Sequence, residues 1–66
     1  MKFIKIVDDN TGAVFYANPV NIAYLKATPP PKKGKFLYKV VLRNGNWKII
    51  VDEAQFIRIK NELYGE

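Results

Sequence analysis

Three short stretches of this chain carry residue types that do chemistry at suggestive spacings. Asp8-Asp9-Asn10-Thr11-Gly12 opens like a calcium loop. Such a loop closes on a bidentate carboxylate at its twelfth position, and that position here is Pro19. The stretch therefore reads as a hairpin turn, with Gly12 free to take positive φ. Gly34-Lys35 looks like the end of a phosphate-binding loop, but Pro29 stands where its first glycine is needed. Phe36 stands where the Mg²⁺-ligating hydroxyl should be. The third stretch is the basic run of Lys32, Lys33 and Lys35, followed by Lys39 and Arg43 and set beside Phe36 and Tyr38. Cations next to stackable rings suit phosphate and base contacts. The same residues also suit a plain solvated loop.

Catalysis has little to work with. The chain has no Cys and no His, which removes thiolate chemistry, the usual general base and the commonest metal ligand. Thr11 and Thr28 are the nucleophile candidates, and their base could only be Lys, Tyr, Asp or Glu. Asp8, Asp9, Asp52, Glu53, Glu62 and Glu66 fall in turns, a cap and the tail. No pair of them is presented on a pocket-forming face. We expect a non-enzyme with no catalytic residue, no cofactor and no metal. Trp47 follows a tight turn, where a Trp is either a core ring or a binding surface.

The elements that position these residues follow from local pattern. Residues 2–7 and 13–17 read as strands joined by the turn at residues 8–12. Asn18-Pro19 resembles an N-cap followed by Pro at the first helical position, which predicts one helical turn. Residues 22–27 read as extended. Thr28, three prolines, Lys32, Lys33, Gly34 and Lys35 are expected to make a loop, because the prolines cannot donate to a ladder. Residues 36–43 and 47–51 form a second hairpin across Asn44-Gly45, which predicts a two-residue type I′ turn. Asp52 caps a helix to about Tyr64, with Gln55 placed to complete a capping box and Gly65 to end it. That helix should bury Phe56, Ile57, Ile59, Leu63 and Tyr64 on one broad face. Gln55, Arg58 and Glu62 should lie opposite, and Lys60 should snorkel from the apolar arc. An echo links Asn18-Pro19-Val20-Asn21-Ile22 with Asp52-Glu53-Ala54-Gln55-Phe56, read as two independent uses of one strand-to-helix chemistry in preference to a duplication.

The 66 residues make a single small domain, mainly β with one C-terminal helix. Without a disulfide, stability must come from a packed core or from self-association. Several strands are apolar on both faces. We therefore expect a five-strand antiparallel sheet, either curled into a small barrel or covered by another subunit. No apolar stretch approaches a membrane span. The apolar run at residues 3–7 contains Lys5 and precedes no small-residue cleavage site, so we do not read it as a signal peptide. The expected setting is the cytoplasm. The net charge of +5 leans toward anionic partners and toward solubility alike.

Gly12-Ala13-Val14-Phe15-Tyr16-Ala17-Asn18-Pro19 and Ile22, then Val41-Leu42-Arg43-Asn44-Gly45 and Val51-Asp52-Glu53, resemble the FlbD family of small flagellar proteins. The shared order is a glycine turn, Phe-Tyr-x-Asn, an Ile, a strand ending in a polar-Gly turn, and Val-x-Glu before a terminal helix. The resemblance spans residues 2–63 and implies a non-enzymatic assembly or accessory role. The chain is also similar to the later half of LytTR-type DNA-binding domains, which implies nucleic-acid contact through loops. It lacks the paired basic-aromatic segment that those domains carry ahead of the Asn. The insertion at residues 29–35 departs from both patterns.

The resulting expectation is a binding protein: a protein-interaction or assembly module that self-associates. The alternative is a small basic nucleic-acid-binding protein that uses residues 32–35. A further alternative is a mobile-element inhibitor or ligand-sequestering protein. The candidate partner-binding residues are Lys32, Lys33, Lys35, Phe36, Tyr38, Arg43 and Trp47.

Overall fold

The computed structural model describes residues 2–65; Met1 and Glu66, the latter counted above among the acids, lie outside them. Five strands and one helix form: β1 (Ile4–Val7), β2 (Val14–Ala17), β3 (Ile22–Thr28), β4 (Leu37–Leu42), β5 (Lys48–Val51) and α1 (Glu53–Tyr64). The strands do not make one five-strand sheet or a closed barrel. They make two antiparallel sheets, β1-β2 and β3-β4-β5.

The first hairpin closes as its residues dictate. The Asp8 carboxylate accepts from the Asn10 and Thr11 backbone N–H groups at 2.8 and 3.3 Å. The Gly12 N–H donates to the Asp8 carbonyl from a backbone at φ 77°. The separation of the two sheets begins after β2. Asn18 Oδ1 accepts from the Val20 N–H at 3.1 Å and caps a 3-10 turn at Pro19–Asn21. That turn leads the chain away from β2, and β3 pairs with β4 instead, through an irregularity between Ile22 and Tyr24. Extra residues of this kind increase local twist. Besides the shared core, among the described residues one ladder-like backbone bond joins the two sheets, from the Asp9 N–H to the Ile50 carbonyl at 2.8 Å.

The β4–β5 connection also differs from expectation. Leu42 N–H bonds to the Trp47 carbonyl, which makes residues 43–46 a four-residue loop. Arg43 is αR, and Gly45 alone departs from helical geometry, at φ 68°. A type I′ turn needs positive φ at both Asn44 and Gly45. The longer loop needs it only at the glycine, where it costs nothing.

The core is aliphatic: Ile4, Ile6, Ile22, Val40, Ile49, Val51 and Ile59. It lies between the inner faces of the two sheets and the helix. Asp52 caps α1, accepting the Gln55 N–H at 2.8 Å, and Gly65 ends it at φ 71°. The buried stripe of the helix is narrower than the sequence suggested. Ile59 is buried, Phe56 and Leu63 are partly buried, and Ile57 and Tyr64 stay exposed beside an exposed Lys60. The face carrying Gln55 and Arg58 does not point away from the protein. Gln55 leaves the capping box half made and pairs with Val7 instead, while Arg58 reaches the Lys5 carbonyl.

Candidate functional site

The predicted partner-binding residues divide between the two ends of β4. At one end lie Lys32, Lys33 and Lys35, all exposed on the β3–β4 loop. Phe36 stacks on Tyr38 with centroids 6.1 Å apart, and Tyr38 packs against Phe56 at 4.7 Å. The Tyr38 hydroxyl donates to a Glu53 carboxylate oxygen at 3.2 Å. Close packing, that hydrogen bond and the neighbouring negative charge all hold the Tyr38 phenol above its ordinary pKa. A shallow groove of about 730 Å³ runs past Lys35, Phe36 and Tyr38. Its walls also include Asp9, Asp52 and Glu53, so three acids share a groove wall where the sequence suggested that no pair would, and the groove is mixed in charge rather than cationic.

At the other end lie Arg43 and Trp47. Arg43 is engaged in structure: its Nε donates to the Val20 carbonyl at 2.8 Å, and its backbone N–H to the Asn21 carbonyl at 2.7 Å. Trp47 is a surface residue, 51% exposed, with one side set edge-on against Phe15 at 5.0 Å. The six residues of β4 separate these ends by roughly 20 Å at the usual strand rise. The seven residues therefore do not form one site.

The hydrogen-bond alternation of the strands reveals what sequence reasoning missed. An antiparallel strand sends its backbone groups alternately toward and away from its partner. Asp8 N–H bonds to Ala13, and both backbone groups of Val7 are taken by Gln55. Val7–Val14 and Lys5–Tyr16 are thus the non-bonded pairs of the β1–β2 register. The N–H and C=O groups of Val14 and Tyr16 consequently face outward along the free edge of β2. Among the described residues they meet no partner.

That edge borders a groove of about 380 Å³ whose walls include Phe3, Phe15, Tyr16, Leu42 and Trp47. Val14 and Tyr16 are 49% and 68% exposed. The sequence marks residues 13–17 as a strand but not as a free edge. Which backbone groups lacked partners was not visible there.

The other sheet edges are guarded. Gln55 and Arg58 cover β1. β3 carries Lys26 and the irregularity at its start, and prolines follow it. β5 carries Lys48 and receives Asp9. Lysines, prolines and irregularities are the usual protections of sheet edges. β2, with the sequence Val-Phe-Tyr-Ala, has none of them.

Among the described residues no helix is long and apolar enough to cross a membrane. Comparisons with family models, with curated proteins and with solved structures find no match for this chain.

Proposed function

We propose that this protein is a non-catalytic assembly module that accepts a strand on its β2 edge, and that the strand is β2 of a second copy. The carrying observation is the row of unpartnered backbone groups at Val14 and Tyr16, unguarded and flanked by exposed apolar side chains. Strand addition draws affinity from main-chain bonds and specificity from alternate side chains.

The edge is self-complementary. Two antiparallel β2 strands centred on Phe15 would set Val14 against the partner's Tyr16 and Tyr16 against the partner's Val14. Each pair would exchange two backbone hydrogen bonds. Each would also join a β-branched residue to an aromatic one, a favourable cross-strand combination. No charge on β2 opposes the approach. The result would be a continuous four-strand sheet, β1-β2 running into its symmetry mate, which a twofold interface requires.

Light scattering at micromolar concentration tests this. The expected result is a dimer. Tyr16→Pro removes an outward N–H without touching a bond to β1, so it should yield a monomer with unchanged helical circular dichroism. A wild-type monomer, or a Tyr16→Pro variant that still dimerises, would overturn the reading.

A further inference from the structure

The charges of this chain are segregated. Residues 10–51 hold seven of its eleven cations and none of its six acids. That stretch carries a formal +7, while the remainder holds four cations against six acids. The fold then concentrates part of this excess on one surface. The register pairs Tyr24 with Val41, Lys26 with Lys39 and Thr28 with Leu37 across β3 and β4. It pairs Lys39 with Ile50 and Val41 with Lys48 across β4 and β5. Directly paired residues share a face, so these eight side chains lie on the outer side of the three-strand sheet, where Val41 is buried and Lys39 and Ile50 are partly buried. The opposite face, carrying Val40, Ile49 and Val51, is turned into the core beneath α1.

Lys26, Lys39 and Lys48 therefore run as a diagonal line of cations across β3, β4 and β5. Among the described residues no carboxylate lies within ion-pair distance of any of them. Lys26 and Lys39 stand directly opposite each other, an arrangement that disfavours folding unless an anion lies between them. Tyr24 is half exposed at one side of the line, with Leu37 and Ile50 flanking it. The line leads toward the loop that carries Lys32, Lys33 and Lys35.

We propose that this outer sheet face binds single-stranded nucleic acid, with Lys26, Lys39 and Lys48 on the phosphates and Tyr24 stacking a base. The chemistry selects that class. A cationic track beside an aromatic ring matches a chain of alternating phosphates and bases. Because α1 packs on the other side of the sheet, among the described residues this face offers no helix to a duplex groove. An acidic peptide would satisfy the charges but leave Tyr24 without a stacking partner. This site is separate from the β2 edge and does not depend on it.

The test is fluorescence anisotropy of the full chain with a labelled oligothymidylate, an oligouridylate, a DNA duplex and a polyglutamate peptide. The single strands should bind, with log K falling linearly in log salt. The triple change Lys26→Gln, Lys39→Gln, Lys48→Gln should reduce affinity more than tenfold and lower the salt slope by about 2. Its melting temperature should hold or rise, because a facing like-charge pair is gone. Tyr24→Ala should weaken binding by roughly tenfold while leaving the salt slope unchanged. Four results would each overturn the proposal. They are no single-strand binding at low salt, equal binding of the duplex, equal binding of polyglutamate, and loss of binding only when Lys32, Lys33 and Lys35 are replaced.

Discussion

The side-chain amide of Gln55 pairs with the backbone of Val7 as a neighbouring strand would. Val7 N–H donates to Gln55 Oε1 at 2.8 Å, and Gln55 Nε2 donates to the Val7 carbonyl at 2.7 Å. One step along the same edge, the Arg58 guanidinium reaches the Lys5 carbonyl while bonding Glu62 at 2.7 Å. The helix thus closes the outer edge of β1 with side chains. This leaves β2 as the unguarded edge of the small sheet, and it ties residues 48 apart in sequence.

Gln55→Ala should destabilise the protein by about 1–3 kcal/mol, because two half-buried backbone groups of Val7 lose their partners. Gln55→Glu should cost at least as much at neutral pH, since its carboxylate would face the Val7 carbonyl. Urea unfolding and the exchange rate of the Val7 amide check both. Unchanged stability would show that water replaces the amide without loss.

Two isoleucines two residues apart, and so on opposite sides of α1, should behave differently. Ile59 has no exposed surface and Ile57 is half exposed. Ile59→Ala should cost about 2–5 kcal/mol through lost burial and a cavity. Ile57→Ala should stay within about 0.5 kcal/mol. Equal costs in denaturant titrations would mean the helix is rotated from the orientation described.

At the β4–β5 loop, a Cβ on Gly45 would meet nothing within 4 Å. The cost of Gly45→Ala is therefore backbone strain alone, about 1–2 kcal/mol for a left-handed residue. Gly45→Asn should cost less, because asparagine tolerates that conformation. A thermal melt of the pair against wild type measures the difference.

The Tyr38 phenol, held above its ordinary pKa by close packing and by Glu53, adds one alkaline-titrating contribution to stability. The folded state holds the phenolic proton more tightly than the unfolded state, so this contribution is fully present below the ordinary phenol value of 10.0. It is lost as pH rises from there through the folded value. Tyr38→Phe should remove a component that titrates above 10.0 in an ultraviolet difference titration, and should flatten the alkaline fall in stability. Loss of a component that titrates at the ordinary phenol value of 10.0 instead would show that Tyr38 is not held by Glu53.

Local order in this chain was written locally. The strands, the Asp8-to-Gly12 turn, the Asn18-Pro19 cap, the Asp52 cap and the Gly65 stop each depend on a few adjacent residues, and each forms where its residue types require. Other features had no local signal. Two sheets rather than one arise because the turn at Pro19–Asn21 sends β3 to β4, a choice between distant partners. Gln55 serves a strand rather than its own cap because Val7 lies within reach only once the helix has docked. Arg43 and Trp47 sit apart from the lysine loop because an extended strand holds them there. The unpaired edge at Val14 and Tyr16, and the line of Lys26, Lys39 and Lys48, follow from register. Register is set by which strands meet, and that is decided by burying Ile4, Ile6, Val40, Ile49, Val51 and Ile59 together. The sequence by itself determined where the chain turns and which residues want to be inside. Only the tertiary structure decided which backbone groups were left without partners and which charges came to share a face.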